Sequence, residues 1–146
     1  MTKFLILFLL FFAIAVIRLD SFVAAASQTV YTLERKLGHE GKGLGEFSTP
    51  HSIAFDSVGN MYVTDSANDR VQKFTSNGTF ITKWGSHGTA VGQFLGPEGI
   101  GVDSQGNVYV ADTGNSRIQK FTSNGTVITK WGSLGTADGQ FSSHGK

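Results

Sequence analysis

Residues 99–121 read Gly99-Ile-Gly-Val-Asp-Ser-Gln-Gly-Asn-Val-Tyr-Val-Ala-Asp-Thr-Gly-Asn-Ser-Arg-Ile-Gln-Lys-Phe121, and residues 52–74 are an earlier copy, Ser52-Ile-Ala-Phe-Asp-Ser-Val-Gly-Asn-Met-Tyr-Val-Thr-Asp-Ser-Ala-Asn-Asp-Arg-Val-Gln-Lys-Phe74. Asp56 and Asp103, Asp65 and Asp112, Arg70 and Arg117, Phe74 and Phe121, and Trp84 and Trp131 each stand 47 residues apart. A fixed period of that size marks a repeat architecture, in which one supersecondary unit cannot bury its own apolar faces and stacks on copies of itself.

Within one copy, Ser52–Asp56, Met61–Asp65, Arg70–Thr75 and Thr79–Trp84 are short, rich in β-branched and aromatic residues, and separated by turn residues. They predict a four-stranded meander. Asp56 to Asn60 and Asp103 to Asn107 supply the first turn, and Asp65 to Arg70 and Asp112 to Arg117 the second. Asn77-Gly78 and Asn124-Gly125 supply the third, Asn-Gly between β runs being the strongest short hairpin signal. Apolar residues fall in both phases of these strands, whereas a sheet wet on one side alternates cleanly. Small sheets with two apolar faces at a fixed period suit the radially packed blades of a β-propeller. Trp84 and Trp131, at equivalent positions, are both expected in the core.

Gly-rich linkers, Gly38 to Phe47, Gly85 to Phe94 and Gly132 to Phe141, separate the units. Val30–Leu37 aligns with the fourth strand of a unit. The expected fold is therefore all-β, a partial propeller of two complete four-stranded blades plus one orphan strand, after an N-terminal signal helix. Its divisions are a signal at 1–26, the lone strand and linker at 27–46, blades at 47–93 and 94–140, and the truncated start of a further repeat at 141–146.

The 146 residues suffice for one ordinary domain. Beyond residue 26 there are ten Lys and Arg against ten Asp and Glu. That balance argues against binding nucleic acid by phosphate neutralisation. With no cysteine the chain has neither a disulfide nor a thiolate metal site. Lys3 precedes the apolar run Phe4 to Ile17, and Ala24-Ala-Ala26 follows. As a helix the run rises ~21 Å against a bilayer core of ~30 Å, too short to span comfortably. It fits a cleavable secretory signal ending at Ala26, with an uncleaved anchor or a buried core helix as the other readings. The expected location is secreted or cell surface, with membrane contact only if the segment is retained.

Gly-Gln-Phe, Pro-x-Gly-Ile-x-Val-Asp, Gly-Asn-Val-Tyr-Val-Ala-Asp, Asn-Ser-Arg-Ile-Gln-Lys-Phe and Lys-Trp-Gly, all between Gly92 and Gly132, resemble the NHL repeat. The resemblance covers about Val30 to Phe141. It implies β-propeller blades, six of which usually make a ring, whereas this sequence carries two complete units. Pro50-His51-Ser52-Ile53-Ala54 more distantly resembles the peptidyl-hydroxyglycine amidating lyases, in which a histidine after proline binds zinc; that resemblance implies His51 as a metal ligand and zinc as cofactor. A catalytic zinc of that kind takes three protein ligands and an open position. The counterpart of His51 in the next repeat is Glu98. A histidine that bonds backbone at a blade's inner end is the favoured alternative.

Asp65, Asn68 and Arg70, with Asp112, Asn115 and Arg117, lie in the second turn of each blade and are candidates for a binding rim. The competing and favoured reading has Asp and Asn capping the turn and Arg pairing with Asp, which recurrence within a repeat predicts. Asp-x-x-Gly-Asn brings one carboxylate in five residues, far short of a calcium loop. Asn77-Gly-Thr79 and Asn124-Gly-Thr126 are glycosylation acceptor sequons. No catalytic residues are assigned, since no nucleophile elbow, phosphate loop, zincin motif or dinucleotide fingerprint is present.

The expected function is an exported binding module for a protein or small-molecule ligand, with contacts from blade-end turns and linkers and no cofactor. Two other readings stand beside it. One is a fragment of a zinc-dependent lyase-like enzyme, and the other a truncated repeat fragment with no function alone. Two blades also leave open faces that favour self-association.

Overall fold

The structure, a computed structural model, describes residues 36–142. The signal segment at 1–26 and the strand expected at 30–37 lie outside the described residues, apart from Lys36 and Leu37, neither of which is in a strand. Eight strands follow. They are β1 (Pro50–Phe55), β2 (Met61–Asp65), β3 (Arg70–Phe74), β4 (Phe80–Trp84), β5 (Pro97–Val102), β6 (Val108–Asp112), β7 (Arg117–Phe121) and β8 (Val127–Trp131). They form two antiparallel sheets, ordered β1-β2-β3-β4 and β5-β6-β7-β8. The chain is thus all-β, two four-stranded meanders that resemble propeller blades.

The Asn-Gly hairpins close through a tight turn followed by a bulge. Gly78 N donates to Thr75 O at 2.8 Å and Thr75 N to Thr79 O at 2.9 Å. Only Gly78, at φ 80°, takes a left-handed conformation in this loop. A two-residue turn of type I′, the form that Asn-Gly favours, needs positive φ at both central residues. Here the glycine instead follows the turn as a bulge, and the register slips between Lys73 and Phe74. Asp56 to Asn60 closes the same way, with Gly59 N on Asp56 O at 3.0 Å. The middle turn is a single 3₁₀ turn, Ser66–Asn68 or Thr113–Asn115.

Each linker folds into a tight loop pinned to itself. In the second, Gly88 N donates to Phe94 O and Phe94 N to Ser86 O, both at 2.9 Å.

The core lies between the sheets. Tyr62, Val71 and Trp84 from the first sheet meet Phe94, Val108, Val110 and Phe121, with Ile100, Val102 and Val127 packed around them. Trp84 sets its ring at 5.9 Å from Phe121 and 6.3 Å from Tyr62. It lies so close over the third turn of the second blade that a Cβ on Gly125 would fall 2.6 Å from the indole. That turn therefore needs glycine for space as well as for φ. The other side of the first sheet carries a smaller cluster of Phe47, Val63 and Phe74, with Leu37, Met61 and Phe80.

The expectation that both tryptophans are core residues holds for one of them. Trp84 is 9% exposed, while Trp131, on the side of the second sheet that no other sheet covers among the described residues, is 42% exposed. Local sequence is the same at both, so the difference comes from what stacks above.

Candidate functional site

The second turn of each blade is the most heavily bonded place in the molecule. Asp65 ends β2 and Arg70 begins β3, directly paired in register. The 3₁₀ turn between them closes through Asp69, which takes a left-handed φ of 50°. Asp65 is fully buried. Its carboxylate accepts from Arg70 Nε at 2.7 Å, Asn68 Nδ2 at 2.9 Å, Gln72 Nε2 at 3.3 Å and the Ser48 backbone N–H at 2.7 Å. Arg70 then turns its remaining fork outward. Nη1 donates to Lys42 O at 2.7 Å, and Nη2 to Gly43 O and Glu46 O, both at 2.8 Å.

The second blade repeats the arrangement. Asp112 accepts from Arg117 Nε at 2.6 Å, and Arg117 reaches Thr89 O, Ala90 O and Gln93 O at 2.7–2.9 Å. Asn115 Nδ2 bridges Asp112 and Gly88 O. The six residues considered for a binding rim are thus brought together as two locks, each clamping a linker to the blade that follows it. A buried carboxylate needs several donors and a buried guanidinium several acceptors, and these pairs find both inside the protein. Pairing of Asp with Arg was readable from the sequence. The linker carbonyls were not, although the recurrence of a Gly-rich loop at the arginine's own period was the available signal.

His51 is exposed near the start of β1. Among the described residues no group of three His, Cys, Asp or Glu side chains is placed to hold a metal ion. The geometry therefore adds no support to the lyase resemblance. Asn77 and Asn124 sit exposed on the third turns. Asn77 Oδ1 accepts from the Thr79 hydroxyl at 2.9 Å.

The first turns hold a second recurring set. Asp103 accepts from Asn107 Nδ2 and N at 2.8 Å, Gln105 N at 2.9 Å and the Tyr109 hydroxyl at 3.0 Å. The Asn107 side-chain bond leads the effects that bring its carboxyl down to about 2 from 3.8. At Asp56, burial pushes up, but bonds from Asn60, Tyr62 and Val58 outweigh it and the carboxyl again sits low. A carboxyl depressed in the folded state stabilises it above the unfolded value and loses that contribution as pH falls through the folded one. Acid unfolding should accordingly steepen between pH 3.8 and about 2. Asp103→Asn is expected to flatten that part of an acid titration followed by tryptophan fluorescence; an unchanged slope would count against the assignment.

The remaining feature is apolar. Ile53 and Phe55 on the first sheet are 50% and 57% exposed, yet their counterparts 47 residues on, Ile100 and Val102, pack against the core between the sheets. On the far side of the second sheet, Tyr109 meets Trp131 edge-on at 6.1 Å, as Tyr62 meets Trp84. Lys120 lies over the Tyr109 ring at 5.0 Å, as Lys73 lies over Tyr62 at 4.9 Å.

The NHL repeat family matches at residues 47–74 and 94–121. Each matched stretch runs from the linker's last phenylalanine to the end of the third strand, so two segments of the chain are similar to the NHL repeat. Protein lin-41 of Caenorhabditis elegans is 46% identical over 46 residues, which is 32% of this chain and 4% of that protein. NHL repeat-containing protein 3 of Homo sapiens is 38% identical over 48 residues, 32% of this chain and 14% of that protein. The chain thus spans a small part of the relatives it matches. Among solved structures, virginiamycin B lyase from Staphylococcus aureus superposes with a TM-score of 0.47 at 21% identity, over 57% of this chain and 27% of that one.

Proposed function

We propose that the two NHL repeats form a protein-binding module that acts through the outer faces of its sheets, in a chain that is secreted or held at the cell surface. The observation that carries this reading is the exposure of Ile53 and Phe55 at positions whose counterparts are covered. Large apolar side chains left exposed together on one strand offer a partner a surface to cover. The Asp, Asn and Arg side chains of the second turns are less suited to a ligand, because their polar groups are already bonded internally.

Chemical cross-linking in the native extract tests the module. The wild-type chain is expected to be captured with another polypeptide, either a second copy or a different protein, and Ile53→Glu/Phe55→Glu to lose it. Absence of any adduct, or an adduct indifferent to the substitutions, would overturn the reading.

Export rests on the Phe4 to Ile17 run and the small residues Ala24 and Ala26. The mature chain is expected to begin at Ser27, which intact-mass measurement of secreted protein would reveal. A product retaining the apolar run would point to an anchor.

A further inference from the structure

Resting on the module reading, we propose that the partner is a second copy of this chain, docked head to tail. The outer face of β5–β8 in one copy covers the outer face of β1–β4 in the next.

The interface between the two sheets of one chain is the pattern for the interface between copies. Inside the chain, Tyr62, Val71 and Trp84 dock onto Val108, Val110 and Phe121, rimmed by Ile100, Val102 and Val127. Shifting every position by the period of 47 residues turns the first group into Tyr109, Ile118 and Trp131, which form the outer face of the second sheet. It turns the second group into Met61, Val63 and Phe74 with Ile53, Phe55 and Phe80 on the other side of the first sheet, where Val63 and Phe74 are already buried with Phe47 and the exposed apolar surface is that of Ile53 and Phe55. One molecule thus carries both halves of a contact it already makes internally, with Trp131 exposed on one half and Ile53 and Phe55 on the other.

The polar details follow the same shift. Lys73 Nζ donates to Ser123 O across the internal interface at 3.2 Å. Lys120 holds the matching pose over its tyrosine. The carbonyl at the matching position in the next copy belongs to Ser76, one residue before the Asn77-Gly78 turn on which Trp131 would lie, as Trp84 lies on Gly125.

The match is not perfect, and the departures set its strength. Thr64 Oγ1 donates to Glu98 O at 2.7 Å across the internal interface. Its counterpart is Ala111, which has no hydroxyl to offer the backbone of His51. Contact between copies is therefore looser than the one within a chain, and reversible on dilution.

Because the two faces differ, the contact is heterologous. Such contacts propagate until a ring closes or a filament grows, so association need not stop at two copies. The same property supplies a test. Ile53→Glu/Phe55→Glu disables one face, and Trp131→Glu the other, and all three residues are exposed in the single chain.

Sedimentation of the full chain is expected to give a mass above the monomer that falls on dilution. Each variant alone is expected to sediment as a monomer, with the near-ultraviolet dichroism of a folded chain. An equimolar mixture is expected to return a dimer of one copy of each and nothing larger. A monomeric wild type, variants that remain associated, or a mixture that stays monomeric would each overturn the proposal. A monomeric wild type that still captures a different protein through Ile53 and Phe55 would remove the self-docking proposal and leave the module reading standing. Failure of both assays would remove both.

Discussion

Replacing Asp112 by Ala is expected to destabilise the protein by about 3–5 kcal/mol, the loss usual when one partner of a buried ion pair is removed. The carboxylate is fully buried. Without it, Arg117 Nε, Asn115 Nδ2, Gln119 Nε2 and the Leu95 backbone N–H each lose an acceptor at 2.6–3.0 Å. The guanidinium charge would then stay buried with only linker carbonyls to face. Arg117→Ala strands the carboxylate instead and is expected to cost a similar amount. The double variant should lose well short of the two single losses combined, because neither charge is left unpaired. Urea unfolding of all four proteins measures this. Single losses within about 1 kcal/mol of zero, or strict additivity, would show that the lock is not coupled as its geometry indicates. Against a total stability of about 5–15 kcal/mol for a domain, the expected change is large.

The second large effect separates two residues that the sequence treats alike. Trp84→Ala is expected to cost about 3–5 kcal/mol through lost transfer energy and the cavity left against Phe121 and Tyr62. Trp131→Ala is expected to cost about 1–2 kcal/mol in dilute solution, since much of its ring already meets water and what remains is chiefly its contact with Tyr109. Thermal unfolding of both variants at low protein concentration gives the comparison. Equal losses there would mean that Trp131 is buried in the single chain. At concentrations where copies associate, the loss at Trp131 should grow, because whatever binds the folded state adds to its apparent stability. Trp84→Phe should cost less than Trp84→Ala for a further reason. The buried indole Nε1 has no hydrogen-bond partner among the described residues, so a phenyl ring gives up area and none of these polar partners.

These two cases also mark how far the sequence could be read. Strand positions, their order and the pairing of Asp65 with Arg70 were legible, because they depend on local alternation and on residues at most five apart. The clamping of linker carbonyls was less so. Backbone acceptors carry no signature in the sequence, and Arg117 reaches back 24–28 residues to find them. Asn77-Gly78 pointed to a hairpin and to the right strands but not to its turn type, since the dipeptide also serves when only the glycine is left-handed. The unequal burial of the tryptophans was beyond local reading altogether. It is decided by the neighbour above each sheet, and the residues flanking the two tryptophans, Ile-Thr-Lys-Trp-Gly-Ser, are the same in both repeats.

The locks also say where this chain would tolerate being cut and lengthened. Each arginine grips the linker ahead of its own sheet, so a block running from Gly85 to Trp131 keeps its clamp intact. A break between the linker and the strand after it, near Gly96, would part Arg117 from its three carbonyls. A break at the Trp84–Gly85 peptide bond parts no such bonds, and the equivalent seam recurs at Trp131–Gly132. Tandem duplication joined at these seams would paste in a finished block each time, already clamped and already carrying one half of each contact its neighbours require. The 47-residue text is then the length of a piece that can be copied whole, strands and linker together, without breaking a lock.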